Sequence, residues 1–318
     1  MILTPAQLDR ARGAVLASAV GDALGSQYEF GPSLSDETPV GFGVGVFGHG
    51  IGEWTDDTSM AIPILRANAA GESLLDPSVL GGIVEAWRSW AVDAKDVGAQ
   101  TRTVLSAING PATEAQARDA ALGVHRNAGR SGGNGALMRT GPLALAYLAD
   151  GSEEALVEAA TRVTQLTHWE DDNADASVLW CLSIRHAIRT GELDVLGQVD
   201  ALPDARRDRW RALIEEAQAT GSHPRDFAAQ NGWVVRAFQG ALAAVAGAAT
   251  PTDALERAVH GGNDTDTVAA IAGALAGAVF GADALPAGLV ERVYGWPELR
   301  GEDLVDLADA AVGEVDAS

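Results

Sequence analysis

Two short acidic stretches carry the side chains best suited to chemistry. One is Gly261-Gly262-Asn263-Asp264-Thr265-Asp266-Thr267, with two carboxylates one residue apart; the other, far upstream, is Thr55-Asp56-Asp57. Each runs into an apolar segment, Val268 to Phe280 in the first case and Met60-Ala61-Ile62 in the second. A helix start leaves backbone N–H groups unpaired and tolerates negative charge. Asp and Thr are also ordinary N-caps, so either cluster alone can be read as a plain cap. Capping uses one oxygen, whereas each cluster offers several. Carboxylates packed against apolar helices repel one another and resist desolvation unless something positive sits between them. Four aspartates with threonine hydroxyls, and no histidine or cysteine among them, form a hard oxygen set. Such a set suits Mg²⁺, Mn²⁺ or Ca²⁺ and argues against zinc.

Three further places can join that chemistry. Glu29 lies between Tyr28 and Phe30; partial burial there would raise its pKa, while a solvated helix end would leave it ordinary. Asp96 precedes Val97-Gly98 and can equally cap the next helix. The stretch Ser131-Gly132-Gly133-Asn134-Gly135, followed by Met138 and Arg139, is dense in glycine. Such a backbone can approach a ligand and turn N–H groups toward an anion, and a helix starting near Ala136 would add its positive end. A plain flexible loop is the alternative. Arg139 then either meets a phosphate or braces the loop. His168, next to Trp169, suits a base or a ribose, or is simply structural. Glu170 to Asp172 reads as a solvated acidic helix start, and His49 as a loop histidine with no metal role.

The elements that must position these groups all read as helices. Thr4-Pro5-Ala6-Gln7 is a helix start with a capping box, and Gly13, Ala17, Gly21 and Gly25 then form a small-residue ridge that admits a close neighbour. Asp22 lies beside that ridge. Residues 31 to 53 form a long glycine-rich loop without the Gly-Lys-Ser/Thr of a phosphate loop, expected to be mobile and to border the site. Helices are expected over Ser59 to Ala70, Ser78 to Val92 (apolar face Val79, Ile83, Ala86, Trp90), Thr101 to Ile108, Ser152 to Leu166, Ala174 to Arg189, and from Trp233 to Ala249. Residues 191 to 232 read as peripheral. Thr252 to His260 leads into the first acidic stretch, Thr267 to Phe280 reads as a central close-packing helix, and the tail from 287 as helical. No period-2 alternation suggests a sheet. The expectation is an all-α, single-domain Ala/Gly-rich helical bundle over residues 1–318.

Bulk properties narrow the partners. The 318-residue chain has a formal net charge of −22 and is 47% hydrophobic, which excludes global disorder and disfavours a nucleic-acid backbone or an anionic membrane as partner. Lys95 is its only lysine and Cys181 its only cysteine. One cysteine forms no internal disulfide and fits a reducing compartment, so a cytoplasmic protein without a signal peptide is expected.

In their order, these stretches resemble the ADP-ribosylglycohydrolase family. The matching pieces are Gly21-Asp22-Ala23-Leu24-Gly25 with Glu29, Trp54-Thr55-Asp56-Asp57-Thr58, Asp96-Val97-Gly98, Gly133-Asn134-Gly135-Ala136 with Met138-Arg139, Thr167-His168, and Gly262-Asn263-Asp264-Thr265-Asp266-Thr267. The resemblance implies an all-helical fold around a dinuclear site of two divalent cations, Mg²⁺ or Mn²⁺, held by Thr55, Asp56, Asp57, Asp264, Asp266 and Thr267. It implies that Gly132 to Gly135 lie along the diphosphate of ADP-ribose. It places Glu29 at the metal site, with acid/base work in some members, and Asp96 near the scissile bond in arginine-directed ones. The expected activity is metal-dependent hydrolysis of the bond linking ADP-ribose to an acceptor such as an arginine side chain. Two other readings stay open: an ADP-ribose binder without turnover, and a metal-dependent nucleotide phosphohydrolase.

Overall fold

The computed structural model describes residues 3–312. Their architecture is helical throughout, apart from one two-stranded ribbon. Its centre is an antiparallel pair, α1 (Pro5–Gly25) and α11 (Thr265–Phe280). The seam is backbone against backbone. A Cβ added at Gly277 would lie 1.9 Å from the Gly13 carbonyl oxygen, one at Gly273 would lie 2.2 Å from that of Ala17, and one at Gly25 would lie 2.4 Å from the Asp266 Cα. The ridge on α1 therefore acts as anticipated, and it meets a second one on α11. The pairing brings the C-terminus of α1 to the N-terminus of α11, so Glu29 and the Asp264–Asp266 stretch arrive at the same end of the bundle.

The other helices surround this pair. They are α2 (Asp56–Ala69), α3 (Pro77–Trp90), α4 (Ala99–Ala107), α5 (Glu114–Ala128), α6 (Glu153–Gln165), α7 (Asp171–Thr190), α8 (Asp204–Gln218), α9 (Val234–Ala246), α10 (Pro251–His260), α12 (Ala287–Val290) and α13 (Gly301–Val312). The capping box of α1 forms, with Thr4 and Gln7 bonding each other's backbone N–H. In α7, Trp180 donates its indole N–H to the Ile271 carbonyl of α11 and packs edge-on to Phe238, which in turn meets Trp210. No helix among the described residues is long and apolar enough to cross a membrane.

Four expectations need correcting. Residues 134–139 and 141–147 form 3-10 helices and not an α-helix, the first starting at Asn134, two residues before Ala136. The buried face of α3 is Leu80, Ile83, Val84, Trp87 and Trp90, so Ile83 and Trp90 face inward as expected while Val79 and Ala86 are only half-buried. The segment 191–232 is not all peripheral, since Trp210 of α8 is fully buried in the aromatic cluster. The tail is not all helical: β1 (Tyr294–Gly295) and β2 (Leu299–Arg300) form an antiparallel ribbon between α12 and α13. Strands this short leave no alternation to read, and the part of the tail after residue 312 lies outside the described residues.

Candidate active site

Glu29 follows the end of α1 and is clamped to the start of α11 by a two-way backbone bridge. Phe30 N–H donates to the Asn263 carbonyl at 2.6 Å, and Asn263 N–H donates to that of Gly31 at 2.8 Å. Phe30 and Asn263 both adopt left-handed backbone, φ 58° and 62°, which costs non-glycine residues roughly 1–3 kcal/mol each and persists only where surroundings enforce it. The result is a close trio: one carboxylate oxygen each from Glu29, Asp264 and Asp266 lie within 4.8 Å of one another.

The second acidic stretch joins the trio from α2. Asp56 lines the same cleft, of about 340 Å³, as Glu29, Asp96, Asp264, Asp266 and Thr267. Asp57 is buried, and its charge is felt by Asp266. Thr55 faces an adjoining cavity that also touches Asp56 and Asp96. Neither cluster makes a side-chain cap on its own helix. The cap of α2 comes instead from Asp22 on α1, which accepts from Thr55 N–H (2.9 Å), Thr58 N–H (3.0 Å) and both threonine hydroxyls (2.8 and 2.6 Å). Capping of α2 thus does not need Asp56 or Asp57, while at the start of α11 Asp266 accepts from Thr267 N–H at 2.9 Å. The motif around Asp22 was visible in the sequence, but its bond across helices was not.

The electrostatics follow from crowding. Burial first, then Asp264, Asp96 and Asp22, push Glu29 up to about 8. Burial likewise lifts Asp22 to about 6. Asp56 and Asp266 are held well above the ordinary carboxylate range by burial and by the neighbouring acids. Burial and Asp264 also raise Asp96. Thr55 Oγ1 stands 2.8 Å from Asp22 Oδ1 and 3.0 Å from Asp57 Oδ2, so one hydroxyl proton serves two carboxylates. Asp57 Oδ1 is buried with no partner among the described residues. An unpaired buried carboxylate oxygen, hard donors only, and acids that suppress each other's ionisation together fit divalent cations.

The glycine stretch and Asn231 frame the opposite wall. Asn231 was missed as a site residue in the sequence. Its carbonyl oxygen Oδ1 accepts from Asp264 N–H at 3.2 Å and from the Asn263 amide at 2.8 Å, while Nδ2 donates to the Gly262 carbonyl at 3.0 Å. Asn134 lines the cleft, but its amide is already committed, to Asp264 Oδ2 at 2.7 Å and to the Asn231 carbonyl at 2.9 Å. Gly133, Gly135, Met138 and His168 also line the cleft. Ser131 and Gly132 face a further cavity of about 730 Å³ beside Glu170 and Trp233. Glu170 is no solvated helix start: it accepts from Ser131 N–H at 3.0 Å and braces the loop. A side chain at Gly132 would meet that carboxylate at 2.7 Å.

Arg139 is the clear correction. It is fully buried and lies behind the cleft, its guanidinium 4.0 Å over the Trp87 ring and 2.6 Å from Thr167 Oγ1. It meets no ligand directly and braces the wall. Thr167 Oγ1 accepts from Arg139 and lies 2.7 Å from His168 Nδ1, a contact that fixes the ring with Nε2 on the edge facing Gly133 and Gly135. Burial lowers His168 to about 3, so the ring stays neutral.

A family model described as ADP-ribosylglycohydrolase matches residues 3–318. The chain is 32% identical over 324 residues to ADP-ribosylarginine hydrolase Tri1 of Pseudomonas putida (strain GB-1), covering 99% of this chain and 83% of that one. It is 29% identical over 308 residues to the ADP-ribosyl-[dinitrogen reductase] glycohydrolase of Rhodospirillum rubrum, covering 91% and 92%. A solved structure titled ADP-ribosylglycohydrolase-related protein complex superposes with a TM-score of 0.70 at 26% identity, covering 96% of this chain and 98% of that one.

Proposed function

The chain belongs to the ADP-ribosylglycohydrolase family, and on that premise we propose that it hydrolyses the bond between C1″ of ADP-ribose and an arginine side chain, releasing ADP-ribose. The observation that carries this reading is the convergence of Glu29, Asp56, Asp96, Asp264 and Asp266 on one cleft. Thr55, Asp56, Asp57, Asp264, Asp266 and Thr267, with Glu29 beside them, would hold two divalent cations, Mg²⁺ or Mn²⁺. Such ions, when bound, polarise sugar hydroxyls and offset the acids' charge.

The chain's own groups divide the remaining work. Water adds at C1″ as the C1″–N bond breaks, through a transition state with oxocarbenium character. One water proton passes to the carboxylate base and the same group returns a proton to the departing nitrogen, so arginine leaves with its ordinary guanidinium. Asp96 is assigned the proton transfer, because it lies on the wall common to the cleft and the adjoining cavity. A well-placed carboxyl contributes about 10²–10⁴-fold. Glu29 sits in the close trio, which favours a cation-holding role over proton transfer. His168 presents Nε2 to the ligand, and Ser131 to Gly135 support the diphosphate and adenosine side. The buried Cys181 fits a reducing compartment, and we place the activity in the cytoplasm.

The test is a panel of differently linked ADP-ribose conjugates, with and without chelator, followed for free ADP-ribose. Release from the arginine conjugate that stops with chelator supports the proposal. Binding without release identifies the non-catalytic reading, and inorganic phosphate identifies a phosphohydrolase.

A further inference from the structure

Large apolar side chains are exposed at seven positions among the described residues; three line the site, and the other four lie in segments that contribute lining residues to it. Phe30 and Phe47 line the cleft and meet edge-to-face with ring centroids 6.0 Å apart. Tyr294 lines the adjoining cavity, of about 540 Å³, and Val92 directly precedes Asp93, which lines it too. Val44, Val46 and Ile51 belong to the loop whose Phe47 faces the cleft and whose His49 faces the cavity. A monomer's scattered surface hydrophobics need no explanation, but a set gathered at one mouth marks an interaction surface.

We propose that this apolar rim is the docking surface for the folded protein that carries the ADP-ribosylated side chain. The inference rests on the glycohydrolase reading above and extends it to the partner. Two features choose the occupant. The cavity inside the rim has acids at Asp93, Asp96 and Glu298 and aromatic rings at Trp90 and Trp296. That combination suits a cationic side chain, by ion pairing and by stacking. Val44 (64% exposed), Ile51 (53%) and Val92 (77%) line neither the cleft nor the cavity. What they can meet is the polypeptide around the modified residue. A second copy of this chain seated there would close the site mouth.

Hydrolysis kinetics on two substrates test this: a protein ADP-ribosylated on arginine, and the small conjugate ADP-ribosyl-arginine. The triple variant Val44→Ser, Ile51→Ser, Val92→Ser should raise KM for the protein substrate about tenfold while kcat/KM for the small conjugate stays within about twofold. Unchanged kinetics on the protein substrate, or equal losses on both, would overturn the proposal. So would a wild-type dimer in sedimentation that the triple variant dissolves, since the rim would then belong to a second copy. A wild type inactive on both conjugates counts against the glycohydrolase reading itself, and the rim proposal falls with it.

Discussion

The two walls of the site are built in opposite ways. The wall from α1 and α11 is backbone packed on backbone, with Gly25 against Asp266 and Gly13 against Gly277, and no space for a methyl group. The wall from loop 31–53 and the β1–β2 ribbon is joined by bonds between loops, such as Trp54 N–H to the Tyr294 carbonyl, Tyr294 N–H to that of Gly52, and Lys95 to Glu53 at 2.6 Å, with close glycine contacts only locally, as at Gly52 and Gly295. The first wall carries Glu29, Asp264 and Asp266, the second most of the exposed apolar groups and part of the lining of the adjoining cavity. Groups that do chemistry need tight positioning, whereas a surface that meets partners tolerates substitution. The chain's one lysine lines the cavity at the second wall, where it pairs with Glu53.

Substitutions should separate the walls, beginning with the acids. Asp264→Asn and Asp56→Asn should each lower kcat/KM by about 10³-fold or more with the circular dichroism spectrum unchanged, because each removes a charged oxygen from the cleft. Retention of full activity in both would end the catalytic assignment. Next comes Gly25→Val. Its Cβ would start 2.4 Å from the Asp266 Cα, so overpacking should cost about 1–3 kcal/mol or more in urea unfolding, together with lost activity. On the opposite wall, Val44→Ser should change stability by less than about 0.5 kcal/mol. A result in which the two glycine and valine substitutions cost the same would erase the contrast.

A third prediction concerns pH in the chelated protein. Glu29, raised to about 8, and Asp22, raised to about 6, bind protons more tightly folded than unfolded. Their contribution is fully present below the unfolded pKa near 4 and is lost as pH rises through the folded values. The Tm of chelated protein should therefore fall between about pH 4.5 and 8, and added Mg²⁺ or Mn²⁺ should restore it most at pH 8. A Tm that rises across that range without metal would contradict the picture of mutually repelling acids. The smallest effect is expected from Trp296→Ala. It should weaken KM for ADP-ribosyl-arginine several-fold while the Kd for free ADP-ribose stays put, a split that calorimetry beside kinetics can read.

Much of the first wall was legible in the sequence, because its signals are local. Spaced glycines, a capping box and carboxylates ahead of apolar runs each occupy a few consecutive residues, and they located both acidic clusters, the α1 ridge and the helices. Glu29 was legible as well, from its aromatic neighbours. Asp22 as the cap of α2, Asn231 as the brace of Asp264, Arg139 turned inward onto Trp87 and the ribbon wall at 294–300 were not. Each depends on a partner distant in sequence, and a hydrogen bond across helices leaves no periodic trace.

Composition and local pattern by themselves determined a helical chain with oxygen-donor clusters at two helix starts. Tertiary structure alone decided that these starts share one cleft and that Asp96 lines both that cleft and the adjoining cavity. The reason is the α1–α11 seam: small residues permit an antiparallel contact so close that one helix's end and the other's beginning must meet. No residue in either stretch encodes that meeting on its own.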